Sequence, residues 1–295
     1  MKPVTVFHYE AFSSVPHKGN PAGVVLEADH LEEGRMQDIA KQVGFNETVF
    51  VQASARATLR LRYFTPGHEM NLCGHATVAA LYSLKTRGLL GPSASITIET
   101  NVGILPIQFL YTADHLLKIR MKQDRPRFVP FAGDVGGLAA SIGLTVDDLD
   151  PALPIVYGST GTWTLLVPIK QLAKFQEMVP RNERFPSILL ENPRASVHPF
   201  CMETHGAQAS MHARHFSSPY SGTIEDPVTG TASGVMGAYD LTYIHPKKQS
   251  IQLVVEQGQE IGRDGRVEVE AIRQCDETMD IYISGTAVFV KEFMV

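Results

Sequence analysis

A short polar segment between two predicted elements is the first place where this sequence could support chemistry. Residues 73–77 read Cys-Gly-His-Ala-Thr; they follow a β-rich run that ends at Phe64 and precede an Ala-rich helical run, 78–87. A helix that begins at Gly74 leaves backbone N–H groups free at its positive end, which suits a carboxylate ligand. His75 lies in the same first turn and could move a proton beside a bound anion. An ordinary helix start with a surface histidine is the alternative.

The second half of the chain repeats this arrangement. Arg-Tyr-Phe at 62–64, a turn, Cys-Gly-His-Ala and a helix are matched by Arg-His-Phe at 214–216, a turn, Thr-Gly-Thr-Ala at 229–232 and a helix. The shared order favours a duplication over a chance match of short Gly-Ala motifs. Two such domains would direct two helix N-termini into one cleft that holds a small carboxylate.

Asp226 stands directly before Pro227, a few residues ahead of the second helix. Proline biases the preceding residue toward an extended conformation, which would hold the Asp226 carboxylate in one direction. We hypothesise that Asp226 orients His75 across the cleft and favours its charged form. The alternative is a carboxylate that only stabilises the helix dipole.

Two further polar residues are candidates for the site. Asn20 lies in the turn-rich segment 17–23, where its amide could contact a ligand, although turn formation is the first interpretation. Glu47 begins the β-branched run 47–51, and the pattern alone favours a solvated carboxylate at a strand end.

A run of metal-ligating side chain types occurs in the second half: His198, Cys201, His205, His212 and His215. The spacings are three, four, seven and three residues, which fit no standard zinc pattern, and most of the segment is predicted as strands. We therefore expect no metal site.

The surrounding elements predict an α+β fold, because few helices alternate with many short, antiparallel-type strands. The main helical segments are 31–43, 78–87 and the run after residue 230, and shorter ones are predicted at 139–142, 145–149, 171–178 and 186–191. One last strand is predicted at 279–290. The polar segment 124–130 predicts a linker. We expect domains at 1–122 and 123–279, with a C-terminal strand at about 280–295 that crosses back to the first domain.

Composition excludes several classes of protein. The chain has 295 residues, 44% hydrophobic and 19% charged, with 26 basic and 31 acidic residues and no basic patch, so nucleic acid is not expected as a partner. No apolar run approaches the roughly 18 residues of a membrane helix, and the N-terminus lacks a signal-peptide pattern. Three cysteines, Cys73, Cys201 and Cys275, suit a reducing cytoplasm. No dinucleotide or P-loop motif occurs.

Four segments together resemble the PhzF family, the phenazine biosynthesis-like isomerases that share the diaminopimelate epimerase fold. They are Gly-Asn-Pro-Ala-Gly at 19–23, Asn-Glu-Thr-Val-Phe at 46–50, Phe-Thr-Pro with Cys-Gly-His-Ala-Thr within 64–77, and Glu-Asp-Pro-Val-Thr-Gly-Thr-Ala at 225–232. The resemblance implies two pseudo-symmetric α+β domains, each a mixed, mostly antiparallel sheet wrapped around a central helix. It also implies a cytoplasmic, homodimeric, biosynthetic isomerase without cofactor or metal.

The same resemblance assigns roles to residues. Glu47 falls on the family's acid/base, which moves a proton between carbons of a small cyclic or amino-acid-like carboxylate, and His75 and Asp226 fall on the other catalytic positions. The substrate-binding positions fall on Asn20 and on the helix starts, where the carboxylate is held: Gly74, His75, Gly230 and Thr231. The family often has Ser where this chain has Thr231, which puts the shape of the pocket in doubt.

Two other functions stay open. Related epimerases of this fold use a cysteine at each helix start, and Cys73 occupies the first position whereas Thr229 occupies the second. Because a hydroxyl is a poor base, two-cysteine epimerisation is disfavoured, but a one-cysteine racemase or dehydratase of the proline racemase type is an alternative. A protein that binds a small carboxylate without turnover is the other; packing is the preferred role for Cys73.

Overall fold

The protein is described by a computed structural model that covers residues 3–295. These residues form five α-helices: Glu33–Val43 (α1), Gly74–Thr86 (α2), Val135–Ser141 (α3), Phe185–Ile188 (α4) and Gly230–Tyr239 (α5). The strands are Thr5–Ala11 (β1), Asn20–Val25 (β2), Glu47–Gln52 (β3), Leu59–Phe64 (β4), Glu69–Met70 (β5), Ser95–Thr100 (β6), Gly103–Tyr111 (β7), Leu117–Lys122 (β8), Arg127–Pro130 (β9), Val156–Ser159 (β10), Trp163–Pro168 (β11), Ser196–Cys201 (β12), Met211–Ala213 (β13), Ser250–Gln257 (β14), Gly265–Arg273 (β15), Met279–Gly285 (β16) and Ala287–Met294 (β17).

The short helical turns complete the secondary structure. The 3₁₀ turns are Val146–Asp148, Leu172–Glu177, Asn182–Arg184 and Gln259–Ile261, and a π-helical turn, Asp240–Ile244, continues α5. The prediction of an α+β fold is confirmed. Within residues 3–295, no helix is long and apolar enough to cross a membrane.

Three local predictions differ from the structure. The predicted linker 124–130 directly follows the boundary between the compact units, but it contains β9, an edge strand that pairs with β10 and tolerates Pro130 because one side needs no ladder bond. Asn20 and Pro21 begin β2 instead of forming a turn, because they pair with the end of β1. The pairing of β2 with β3 begins only after them, at Ala22. The predicted strand 279–290 is two strands, because the chain passes from one compact unit to the other near Ser284.

The chain divides into two compact units. The first contains the described residues up to Lys122 together with Ser284–Val295, and the second contains Gln123–Ile283. In the first unit the strands pair in the order β17-β1-β2-β3-β4-β6-β7-β8. Only the β2–β3 and β4–β6 pairs in this order are parallel, so the sheet is mixed and mostly antiparallel.

The second unit repeats the strand pattern of the first. Its order is β9-β10-β11-β12-β13-β14-β15, and the successive pairs are antiparallel, antiparallel, parallel, antiparallel, parallel and antiparallel. The pairs from β17 to β7 in the first unit follow the same series. This equality of topology supports the duplication that the sequence motifs indicate.

One helix is buried by each sheet. Helix α2 contacts β1, β2, β3, β8 and β17, strands that include both ends of its sheet, so the sheet curves around the helix. Helix α5 contacts β10, β14 and β15. Both helices are buried on almost every side, which explains their Ala- and Gly-rich sequences and their lack of a polar face.

The outer faces of the sheets carry separate apolar clusters. In the first unit, α1 buries Met36 and Ile39 beside Phe50 and Phe64, whose rings meet edge to face at 5.4 Å. In the second unit, the cluster includes Phe175 and Phe185 with residues of α3, β11 and β12.

We expect Gly237→Ala to destabilise the protein. A Cβ at Gly237 in α5 would lie 2.5 Å from Cγ1 of Val269 in β15. The overpacking cost of about 1–3 kcal/mol exceeds the gain of about 1 kcal/mol that alanine brings to a helix. Urea unfolding measures the change, and Gly34→Ala in α1 is the matched control because a Cβ there meets nothing within 4 Å. Equal stabilisation by both substitutions would contradict this packing.

Candidate functional site

Helix α2 begins at the segment that the sequence singled out. Cys73, the residue before the helix, is extended (φ −139°, ψ 116°), and its carbonyl oxygen accepts a hydrogen bond from Oγ1 of Thr77 at 2.7 Å. The first backbone N–H groups of the helix have no carbonyl four residues back to bond with, so this end is suited to an anion. The prediction that a helix opens at Gly74 is confirmed.

His75 lies at the centre of a polar cluster at this helix start. Its Nε2 is 3.1 Å from Oε2 of Glu47, and its Nδ1 is 3.2 Å from Nδ2 of Asn20 and 3.4 Å from Sγ of Cys73. Asn20 and Glu47 are the first residues of β2 and β3, which are parallel neighbours, so both side chains start from the same edge of the sheet. The fold thereby brings together three residues predicted from the sequence, Asn20, Glu47 and His75, and Gly74 directly precedes His75.

The charge states in this cluster follow from burial and from the carboxylate. Burial opposes a charge on His75, but the groups at Cys73 and Glu47 favour one, and the pKa of His75 lies well above its ordinary value of 6.5. Burial, together with Glu47, raises the pKa of the Cys73 thiol. Because the thiol therefore stays protonated at neutral pH, we attribute the imidazolium to the Glu47 carboxylate.

The Glu47 carboxylate is accessible enough to meet a ligand. Its side chain is 14% exposed, whereas the His75 side chain is 8% exposed. The pattern-based alternative of a solvated strand-end carboxylate does not describe a group that is mostly buried against an imidazole. A general acid/base needs this combination of partial shielding and access.

The start of helix α5 in the second unit has the same backbone geometry. Thr229, the residue before the helix, is extended (φ −114°, ψ 100°), and its carbonyl accepts a hydrogen bond from Oγ of Ser233 at 2.9 Å, as the Cys73 carbonyl does from Thr77. Oγ1 of Thr229 also donates to Oδ2 of Asp226 at 2.6 Å. Thr229 is therefore held by the carboxylate that precedes the helix.

Gln257, the last residue of β14, holds this loop in place, and no sequence pattern indicates this role. Its Nε2 donates to the carbonyl of Asp226 at 2.7 Å, and its Oε1 accepts from the backbone N–H of Thr229 at 3.2 Å. Gly230 and Thr231 open α5 beyond this loop, and the Thr231 carbonyl accepts from Oγ1 of Thr160 at 3.0 Å. Asp226, Gly230 and Thr231 thus lie together in the second unit.

An arginine–glutamate pair braces the loop before each helix. In the first unit, Arg62 donates through two nitrogens to the two oxygens of Glu69, both at 2.7 Å. In the second unit, Arg214 donates in the same way to Glu225 at 2.9 and 2.7 Å. Bidentate pairs of this kind fix direction as well as charge, so they explain why each loop enters its helix at a defined angle.

The second unit also contains a buried histidine pair that is linked to Asp226 by a backbone hydrogen bond. Nδ1 of His198 lies 3.1 Å from Nδ1 of His215, and the carbonyl of His215 accepts the backbone N–H of Asp226 at 3.0 Å. Burial lowers the pKa of both rings, to about 4 for His215, although Asp226 acts in the opposite direction on that ring. Both histidines are therefore neutral at physiological pH.

Two groups of potential metal ligands occur among the described residues. The first is Glu47, Cys73 and His75, and the second is His205, His212 and Glu260. In the first group the raised pKa of the thiol opposes the thiolate that metals require. The hydrogen-bonding environment of this group suits proton transfer better than metal binding.

We expect His75 to titrate far above His215. Its charged form adds stability below pH 6.5, and that stability is lost as the pH rises through the raised pKa of the folded state. Histidine ring signals in NMR spectra measure both pKa values, with His215 near 4. Glu47→Gln should lower only the value of His75, because it removes the neighbouring charge. An unchanged His75 pKa in that variant would show that another group stabilises the imidazolium.

Comparison with known proteins places this geometry in a family. The family model for phenazine biosynthesis-like proteins, PhzC-PhzF, matches residues 9–292. The chain is 52% identical over 289 residues to the uncharacterized isomerase YfhB of Bacillus subtilis, covering 98% of this chain and 97% of the relative. It is 27% identical over 278 residues to the trans-2,3-dihydro-3-hydroxyanthranilate isomerase of Pseudomonas aeruginosa, covering 94% and 93%.

Solved structures agree with these relatives. A crystal structure of a PhzF family phenazine biosynthesis protein from Bacillus anthracis matches at a TM-score of 0.98 and 57% identity, covering 100% of this chain and 99% of that one. A hydroxyproline epimerase from Agrobacterium vitis matches at 0.64 and 11% identity over 100% and 91%, which is a likeness of fold alone. The predictions of an isomerase and of an epimerase-like fold are confirmed. The chain belongs to the PhzC-PhzF family of phenazine biosynthesis-like proteins.

Proposed function

We propose that this isomerase moves a proton between two carbons of a small cyclic or amino-acid-like carboxylate, with Glu47 as the general acid/base. The observation that carries the proposal is the contact of 3.1 Å between Oε2 of Glu47 and Nε2 of His75 at the N-terminus of a buried helix. A proton carrier and an anion-binding helix end therefore lie side by side.

The proposed reaction needs no electron donor or acceptor. The Glu47 carboxylate takes a proton from one carbon of the substrate, and the electron pair of that C–H bond shifts through the adjacent double bond. Glu47 then returns the proton to the carbon at the far end, so the product is an isomer of the substrate. The charged His75, whose Nε2 lies 3.1 Å from Oε2 of Glu47, places a positive charge beside the carboxylate that takes the proton.

The substrate carboxylate is proposed to bind at the helix starts. The backbone N–H groups of Gly74 and His75 supply one anion site, and those of Gly230 and Thr231 supply a second with the same geometry. We propose that both ends serve one substrate in a cleft, with Asp226 acting together with His75 and Glu47. Gln257 and Thr229 then act as positioning residues, because they fix Asp226 and the start of α5.

The substrate class draws support from a relative. The Pseudomonas aeruginosa isomerase is named for trans-2,3-dihydro-3-hydroxyanthranilate, a cyclic amino carboxylate. A ligand of that chemistry has the carboxylate and the double bonds that the proposed reaction requires. Thr231, where the family often has Ser, keeps the hydroxyl and adds a methyl group, so we propose the same class of substrate in a pocket of altered shape.

Cys73 is the competing catalyst, and the site disfavours it. A thiol base must form a thiolate, and burial raises the pKa of Cys73. The equivalent residue in the second unit is Thr229, whose hydroxyl is already bonded to Asp226. A binding protein without turnover is the other alternative, and the contact between Glu47 and His75 weighs against it, because a carboxylate pointed at an anion site would only weaken binding.

Solvent deuterium exchange tests the proposed proton transfer. We expect the protein in D₂O to introduce deuterium at carbon in at least one member of a panel of cyclic and amino-acid-like carboxylates that includes trans-2,3-dihydro-3-hydroxyanthranilate, as followed by NMR. Glu47→Gln should slow exchange by about 10²- to 10⁴-fold, which is the usual contribution of a general acid/base. Glu99→Gln is the matched control in the same unit, because its carboxylate is bonded to Ser54 instead.

The outcomes of this experiment are separable. Exchange that survives Glu47→Gln unchanged would transfer the catalytic role to another group. A panel in which ligands bind without any exchange would favour the carboxylate-binding protein.

A homodimer is also part of the proposal, and light scattering of the purified protein measures it independently.

We expect Cys73→Ala to retain most of the turnover measured by the same exchange. The sulfur lies 3.4 Å from Nδ1 of His75, whereas the proposed proton carrier is Glu47, which lies at Nε2. The side chain is buried, so a small loss of thermal stability accompanies the change. A loss of exchange comparable to that of Glu47→Gln, in a variant that still folds, would favour the thiol mechanism.

A further inference from the structure

We propose that His205, His212 and Glu260 in the second unit form a binding site for a divalent metal ion, with Zn²⁺ as the best-matched ion. These residues are separate from those that the proposed function uses. The proposal departs from the expectation of no metal site because Glu260 lies outside the run of histidines and cysteine on which that expectation rested. Their potential ligand atoms lie within 4.8 Å of one another. Two imidazoles and one carboxylate are a donor set that zinc commonly takes in proteins.

The distances fit a shared ion. Nε2 of His212 is 2.9 Å, and Nε2 of His205 is 3.9 Å, from the same oxygen of Glu260, Oε1. An ion bound at about 2.0–2.2 Å to each ligand separates tetrahedral ligand atoms by roughly 3.3–3.6 Å. Both distances to Oε1 of Glu260 therefore lie within about 0.7 Å of the separation that a bound ion requires.

The opposite nitrogen of His212 is oriented as it is in known metal sites. Nδ1 of His212 lies 3.1 Å from Oε1 of Glu256, so Nε2 is the nitrogen directed at Glu260. Carboxylate–histidine–metal arrangements use this outer contact to fix the ring. Glu256 accepts hydrogen bonds from the backbone N–H groups of His205 and Gly206, at 2.6 and 3.0 Å. The carboxylate that orients His212 is therefore held by His205, which supplies another of the proposed ligands.

The local charge leaves room for a cation. Glu256 and Glu260 are both almost fully buried, and Arg266 lies 3.2 Å from Glu256. Oε2 of Glu260 is buried and has no hydrogen-bond partner among the described residues. A divalent ion would compensate this carboxylate, which is costly to bury without compensation.

A protonated His212 shared by two glutamates is the arrangement without metal, and the ion would replace the proton on Nε2. The side of the cluster at His205 is open, since that side chain is 44% exposed, so water can complete the coordination. Glu260 follows Gln257 by three residues, and Gln257 holds the loop of Asp226 and Thr229. The ion would therefore anchor the turn that positions this loop.

Zinc binding by the full chain tests the proposal. We expect protein that was treated with a chelator and then dialysed against Zn²⁺ to bind one ion per chain, and Co²⁺ to give a visible absorption band of tetrahedral type. His205→Ala and Glu260→Gln should each weaken binding by at least about tenfold, because each removes a ligand. His245→Ala is the matched control: its side chain is 41% exposed and 2.8 Å from a carboxylate, that of Asp240.

Each outcome decides the assignment. Retained binding in the His245→Ala variant with loss in the other two supports the site. No binding by the wild type, or unchanged binding in both ligand variants, overturns it. Loss of binding in Cys73→Ala alone also overturns it, since the ion would then occupy the other cluster. Near-UV circular dichroism verifies that each variant folds. If Glu260→Gln does not fold, binding by His205→Ala decides, because the His205 side chain is half exposed and its removal disturbs the fold less.

Discussion

Complete burial of a helix by a curved sheet is the constraint on which this structure depends. Helix α2 contacts both ends of its sheet, so it has no solvent-facing side, and its residues are small and apolar almost throughout. The polar N–H groups at its first turn are the part that cannot be satisfied inside such a helix. The helix start must therefore lie among polar side chains, and these are Asn20, Glu47 and His75.

The two units share this arrangement of a buried helix and its polar start. The two sheets follow one series of parallel and antiparallel pairs, and each helix is preceded by an extended residue whose carbonyl accepts a hydroxyl from four residues on. The arginine–glutamate braces are also equivalent, and Arg62 and Arg214 each lie over the ring of a phenylalanine, Phe64 and Phe216. Removing one partner of such a pair would leave a partly buried charge uncompensated.

The sequence predicted the fold class and the helix starts well, because glycine and periodicity act locally. It predicted the neighbours of these starts poorly. Pattern alone favoured a solvated Glu47, and only the resemblance to a family indicated otherwise; burial depends on the pairing of β3 with β2, which no local pattern contains. Gln257 gave no signal, since its contacts with Asp226 and Thr229 cross about thirty residues.

Cys73 and Thr229 occupy equivalent positions before the two central helices, and the difference between a thiol and a hydroxyl there has a stereochemical consequence. Inversion of a stereocentre requires one group to remove a proton from one face of the carbon and another group to deliver a proton to the opposite face. Here one site holds a protonated thiol and the other a hydroxyl that is committed to Asp226. Under the proposed mechanism a single carboxylate removes and returns the proton, so the transfer takes place on one face of the substrate, and the proton can exchange with solvent while Glu47 carries it. The two helix starts of this duplicated fold therefore carry different chemistry.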